Sequence, residues 1–346
     1  MKSDLEIAGE VRVDKEAIKV TKSRVVGGPS GSRLKRVVEV AGTWAVFGGY
    51  ALMVVVFSIA RPSIFLSWSN LQNILDMSVV PILLVGGITL VLVIGEFDLS
   101  FTAAAGLTAA VAIVLMAHHG VNPIIASVIG IAAAALVSVA VSSIVTYGKV
   151  SSFIASLAVG SAATGIEQGL TGNQTIYSGV PNGYSNFTMH SLAGIHLPVF
   201  FAAFVVVILH ILLRKTPLGR HAQAVGSNLE AARLAGISAA RMRLVAFLIT
   251  GVLAGVAAIV LTSRAGSYFP DAATGYLLST YAAAFLGSAA QGGRRFSIGG
   301  SVIGVLWLVT LQAGLTDLNE ASWIANLVEG LVLVAAVVFA VRGRRQ

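Results

Sequence analysis

Val79-Val80-Pro81-Ile82-Leu83-Leu84-Val85-Gly86-Gly87-Ile88-Thr89-Leu90-Val91-Leu92-Val93-Ile94 runs for sixteen residues without a charge. A helix needs roughly 20 such residues to cross a hydrocarbon layer about 30 Å thick. One run of this kind would fit the core of a soluble domain, but nine others accompany it. They lie at 40–60, 101–117, 124–146, 153–166, 198–213, 244–262, 277–290, 298–315 and 321–341. Of the 346 residues 56% are hydrophobic and only 11% charged, whereas a soluble domain carries about 25% charged residues. The solvent for most of this chain is therefore lipid. Lipid offers the backbone no hydrogen bonds, so each span is expected to be helical. The expected fold class is all-α, a polytopic integral membrane protein of about ten transmembrane helices.

The runs 153–166 and 277–290 are short, and each reads either as a re-entrant segment or as a tilted helix with polar ends. Charge arbitrates. With ten crossings and both termini cytoplasmic, 21 of the 23 Lys and Arg fall on the inner side, leaving only Arg61 and Arg264 outside, as the positive-inside rule requires. Removing the fifth run would export the cluster between Arg214 and Arg243, and removing the eighth would export Arg294, Arg295 and the C-terminal arginines. The net charge of +8 is thus explained by topology and not by a nucleic-acid partner. Residues 1–36 are polar and lack an apolar h-region, and read as a disordered cytoplasmic tail preceding a membrane domain at 37–346. Cysteine is absent, which excludes disulfides, thiolate metal sites and cysteine nucleophiles. Three Gly-x-x-x-Gly pairs, Gly165 with Gly169, Gly251 with Gly255 and Gly300 with Gly304, are candidate helix crossings.

The longest inner interruption, 214–243, carries its own structure. Ser227 or Asn228 can cap a short helix, Glu230 lies in its first turn, and Gly236 is placed to end it. Leu229, Ala232 and Leu234 would present an apolar knob among Arg220, Arg233, Arg241 and Arg243. Read from the residues alone, this is either a docking element or a solvated linker that fixes topology.

Glu230-Ala231-Ala232-x-x-x-Gly236 resembles the EAA loop of ABC-importer permeases, and Gly219-Arg220 through Ile237 resembles its form in the ribose/simple-sugar permease family. Gly95-Glu96-Phe97-Asp98-Leu99-Ser100 is similar to that family's Gly-Gly-Ile-Asp-Leu-Ser element, and Phe153-Ile154-Ala155-Ser156-Leu157 to its Phe-Ile-Ala-Thr-Leu element. Gly275-Tyr276, Leu286-Gly287, Gly292-Gly293-Arg294 and Ser297-Ile298-x-Gly300-x-Val302-Ile303-Gly304 follow in the family's order. The chain departs from the pattern at Glu96-Phe97, at Phe101-Thr102, and at Leu277 and Ser279, where the family often has acids.

The resemblance implies a permease subunit of a bacterial ABC importer in the cytoplasmic (inner) membrane, moving a sugar or similar small polar solute. It implies three protein partners besides membrane lipid. These are an ABC ATPase subunit, a periplasmic or lipid-anchored solute-binding protein, and a second permease copy, as homodimer or close paralogue. The ATPase would dock through Gly226, Asn228, Glu230, Ala231, Ala232, Arg233 and Gly236. No phosphate-binding Gly-x-x-x-x-Gly-Lys-Ser/Thr sequence is present, so ATP would be bound by the partner and this chain would carry no cofactor. No nucleophile–base set suggests an enzyme. The histidine pairs lack ligand spacing, and no metal site is expected.

Candidate translocation-pathway residues are Glu96, Asp98, Glu167 and Gln168, because ionisable and amide groups inside an apolar bundle are costly and normally face a cavity or a partner. Asp98 with Ser100 can instead cap the third run, and Glu167 can instead sit solvated at the outer interface. The alternative function is a secondary transporter or channel, which would show paired intramembrane charges or broken helices at the midplane.

Overall fold

The computed structural model describes residues 46–291 and 295–318, with short pieces between 323 and 338. The expected tail at 1–36 and much of the tenth apolar run lie outside the described residues. The helices are α1 (Val46–Ala60), α2 (Pro62–Phe65), α3 (Trp68–Val93), α4 (Phe101–His119), α5 (Pro123–Tyr147), α6 (Ser152–Thr171) and α7 (Asn186–Met189). A hairpin of β1 (Ser191–Leu192) and β2 (Ile195–His196) precedes α8 (Leu197–Lys215), α9 (Pro217–Ser227), α10 (Leu229–Leu234), α11 (Ala239–Ala265), α12 (Tyr276–Ala289) and α13 (Ile298–Asp317). Six of these, α3, α4, α5, α8, α11 and α13, are long and apolar enough to cross a membrane. Helices α1, α6 and α12 coincide with three more of the expected runs.

The two short runs resolve differently. Helix α6 has 20 residues, because Ser151 caps it at Ile154 N–H and it continues past Glu167 to the left-handed Gly172. Helix α12 has 14, about 21 Å at 1.5 Å per residue. A further difference is at α3, which begins eleven residues before its apolar run. Ser67 caps it at Asn70 N–H, and its polar residues Asn70, Asp76 and Ser78 are buried by neighbouring elements instead of facing water. In the apolar part of α3, 78% of residues are buried, against 22% in α8. Helix α3 is the central post, and α8 is left mostly uncovered by the rest of the chain.

Glycine sets how closely the helices approach. A Cβ on Gly87 would lie 2.8 Å from Thr250 Cα, so α3 and α11 cross backbone to backbone there. Gly251 bears on Ala134 and Ser138 of α5, and Gly255 on Ile131. Gly300 and Gly304 of α13 bear on Gly287 and Ala283 of α12. Two of the three expected Gly-x-x-x-Gly pairs are thus crossings. The third is not, because a Cβ on Gly165 or Gly169 would meet nothing within 4 Å. Between the helices, buried hydroxyls bond across, as Thr89 does with Ser301 (2.7 Å) and Thr108 with the Gly130 carbonyl (2.8 Å), the polar adhesion that packing in lipid favours.

At one end of the bundle Glu96 pairs with Arg243, Phe97 bonds Ser152, and Gly226 lies against Val93 and Gly95. At the other end, His196 Nδ1 lies 2.6 Å from Asp76 Oδ2 and Arg264 donates to the Asp76 carbonyl at 2.8 Å. Gln72 bonds the Gly194 carbonyl in the hairpin turn there, and Ile176 bridges Tyr268.

Candidate functional site

Helix α3 stops at Gly95. That residue has φ +82°, donates to the Leu92 carbonyl, and lets Glu96 N–H reach the Val91 carbonyl. This is the left-handed termination that glycine adopts without a Cβ clash. It turns the chain into a short segment, 94–100, that three other elements grip. Phe97 N–H donates to Ser152 Oγ at the start of α6 (3.0 Å). The Tyr281 hydroxyl of α12 accepts from Asp98 N–H (3.1 Å) and donates to the Asp98 carbonyl (2.6 Å). Arg243 Nε of α11 donates to Glu96 Oε1 at 2.6 Å.

Asp98 is fully buried. Its Oδ1 accepts from Ser100 N–H (2.8 Å) and from Ser100 Oγ (2.6 Å), and its Oδ2 has no hydrogen-bond partner among the described residues. Burial pushes this carboxyl up to about 6, with the Ser100 hydrogen bonds opposing the shift. The expected cap is therefore displaced by one turn. Asp98 closes the turn ahead of α4 at Ser100, while the helix itself begins at Phe101 and receives no side-chain cap from Ser100.

The expected docking loop contains two helices, α9 and α10, where one was expected. Of the two candidate caps it is Asn228 that serves: its Oδ1 accepts from Ala231 N–H at 3.0 Å. Ser227 is the last residue of α9. Gly236 has φ +78°, donates to the Arg233 carbonyl, and lets Ile237 N–H reach the Ala232 carbonyl, the same termination as at Gly95. Glu230 and Arg233 pair at 3.0 Å with side chains 77% and 54% exposed, a contact worth under about 1 kcal/mol. The expected apolar knob is reduced to one residue. Ala232 is buried and Leu229 half-buried, whereas Leu234 is 90% exposed. Ala231 lies exposed beside it. Gly226 presses on the Val93 carbonyl at the end of α3, where any side chain would collide.

Glu167 and Gln168 sit at the far end of α6 from Ser152. Glu167 is buried, accepts a hydrogen bond from the Tyr268 hydroxyl at 2.8 Å, and fills the space over Gly106 of α4. A solvated, partnerless Glu167 is excluded by that bond. Gln168 is exposed. The four candidate pathway residues therefore form two pairs at opposite ends of the bundle. Sequence reasoning missed the partners Tyr281, Tyr268 and Ser152, and counted Arg243 only as docking-loop charge. Sequence separations of 55 to 183 residues leave no local signal for these contacts.

Comparison with known proteins supplies the remaining evidence. A family model described as "Branched-chain amino acid transport system / permease component" matches residues 70–337. The chain is 34% identical over 292 residues to a ribose import permease protein of Bacillus subtilis (strain 168), covering 84% of this chain and 90% of the relative. It is 32% identical over 301 residues to a D-allose transport system permease protein of Escherichia coli (strain K12), covering 85% and 91%. A xylose transport system permease protein of Haemophilus influenzae is 28% identical over 347 residues, covering 83% and 92%. No solved structure matches.

Proposed function

The chain belongs to the permease-component family of branched-chain amino acid transport systems, and from that membership we propose that it imports a sugar or similar small polar solute with ATP hydrolysed by a separate subunit. It is a multi-pass protein of the bacterial inner membrane and a transporter component, not an enzyme. One observation carries the sugar assignment: the ribose, allose and xylose permeases are similar to it over more than four-fifths of both chains.

In this reading ten helices cross the membrane and both termini are cytoplasmic, because that arrangement partitions the basic residues 21 to 2. The ATPase docks on α9 and α10, with exposed Leu234 inserted into it and the Asn228 cap and Gly236 stop holding the short helix in place. A periplasmic or lipid-anchored solute-binding protein docks at the other end, and a second permease copy completes the pathway. Glu96, Asp98, Glu167 and Gln168 are its candidate lining or gating groups. The solute crosses unaltered, through weak hydrogen bonds that let it enter and leave.

Reconstitution into liposomes with the cognate ATPase and binding protein tests this reading, using radiolabelled ribose, allose and xylose. Uptake of at least one sugar should require internal ATP. Gly236→Val, which forces a β-branched residue into positive φ, should cut uptake at least tenfold at unchanged membrane abundance. Uptake driven by a sodium or proton gradient without the ATPase would refute it.

A further inference from the structure

We propose that the Glu96–Arg243 ion pair is a coupling strut: it ties the docking loop to segment 94–100 and so transmits loop movement to α3, α6 and α12. The inference rests on the importer reading and adds a positioning pair to it. The pair joins residues 147 apart in sequence at 2.6 Å. Its side chains are only 15% and 18% exposed, so it is shielded from water and salt in a way that Arg233–Glu230 is not. A charge that served topology alone needs no such partner, since the positive-inside rule asks only for its side of the membrane.

What the pair connects gives it a mechanical meaning. Arg243 stands in the first two turns of α11, which follows the end of α10 after four residues, 235–238. Glu96 stands directly after the glycine that stops α3. The residues following it are held by Ser152 of α6 and Tyr281 of α12. Any displacement of α10 and the start of α11 therefore pulls on Glu96 and through it on three spanning elements. The opposite sense is covered by Gly226 of α9, whose backbone bears on the Val93 carbonyl. One contact transmits a push on the end of α3 and the other a pull on the chain just beyond it.

The test uses the complete transporter in liposomes, with ATP hydrolysis and sugar uptake measured on the same preparation. Arg243→Gln should keep basal ATP hydrolysis per assembled transporter while solute moved per ATP falls at least tenfold, and Glu96→Gln should lower the same ratio at least tenfold. The exchange Glu96→Arg with Arg243→Glu should recover that ratio to within threefold of wild type. Should the exchanged protein fail to assemble, Glu96→Cys with Arg243→Cys, in this cysteine-free chain, should recover the ratio when bridged by a short bis-maleimide. A pair that only stabilises the fold would instead lower abundance and hydrolysis together and leave solute per ATP unchanged. That outcome, or single variants with the wild-type ratio, overturns the strut while the importer reading stands. A wild-type assembly without ATP-dependent uptake overturns both.

Discussion

Tyr268→Phe removes a single hydroxyl from a fully buried ring, one that also accepts a long 3.5 Å contact from Thr171 Oγ1. That hydroxyl donates to Glu167 Oε1 at 2.8 Å, while the backbone of Tyr268 stays bridged to Ile176 by two 2.9 Å bonds. The carboxylate also lies against Gly106 of α4 and the backbone of Asp271. A hydrogen bond to a charged group contributes about 1.5–3 kcal/mol, and stranding a buried acceptor costs in the same range. Tyr268→Phe should therefore destabilise by about 2 kcal/mol. Glu167→Gln keeps the size and one acceptor and should cost less, about 1 kcal/mol. The double variant should lose little beyond Tyr268→Phe, giving a coupling energy of roughly 1–1.5 kcal/mol. Equilibrium unfolding of the detergent-solubilised protein in mixed micelles, read by tryptophan fluorescence, measures all four corners of the cycle. Additivity to within about 0.3 kcal/mol would show that the two side chains do not interact and would refute the buried bond.

Two further outcomes follow from the packing and from the 94–100 segment. Gly251→Leu places a Cβ 2.7 Å from the Ala134 carbonyl and against Ser138 Oγ, overpacking that costs about 1–3 kcal/mol or more; Gly165→Leu meets open space. Gel filtration of fluorescent fusions should show the first variant at less than half of wild-type monodisperse yield and the second within twofold of it, and equal yields would refute the α5–α11 crossing. Burial raises the Asp98 carboxyl from its ordinary value of 3.8 to about 6, so its favourable contribution is complete below the lower value and is lost as pH rises through the higher one. Between pH 5 and pH 8 that loss is about 1.4 kcal/mol. Wild-type thermal stability in detergent should fall by that amount across this interval relative to Asp98→Asn, and parallel profiles would refute the buried carboxyl.

Local chemistry was legible in the sequence and long-range chemistry was not. Asn228 and Gly236 were readable as cap and stop because capping is decided within four residues of chain. The start of α3 was not, since hydropathy reads Asn70, Asp76 and Ser78 as loop. In the fold Asn70 donates to the Phe65 carbonyl and Ser78 to the Ile74 carbonyl, so they enter a helix at no unpaired cost. The glycine pairs show the same limit from the other side. Gly251 with Gly255 and Gly165 with Gly169 are one pattern in sequence, but the first meets a helix and the second meets nothing, because which face turns inward is set by neighbours over a hundred residues away. The carboxylates could be marked as costly from sequence, whereas Arg243, Tyr281 and Tyr268 as their partners depend on the assembled bundle.

Those partners constrain how a sugar could use the same groups. A buried carboxylate gives up a hydrogen bond only when another donor of similar strength arrives, because the unmade bond costs more than either made one contributes. At Glu167 the present donor is the Tyr268 hydroxyl, and a sugar hydroxyl is a donor of the same kind. Exchange of one for the other is nearly neutral in hydrogen bonding, which is the weak and reversible contact a transport path requires. At Glu96 the present donor is a guanidinium, and an uncharged hydroxyl replacing it would strand a partly buried cation. Sugar hydroxyls therefore suit Glu167 as exchanging partners and do not suit Glu96, whose chemistry fits a fixed tie. Glu167→Gln should preserve the exchange and transport at reduced rate, whereas Glu167→Leu should not transport. Wild-type uptake by the Leu variant at equal membrane abundance would take Glu167 out of the path.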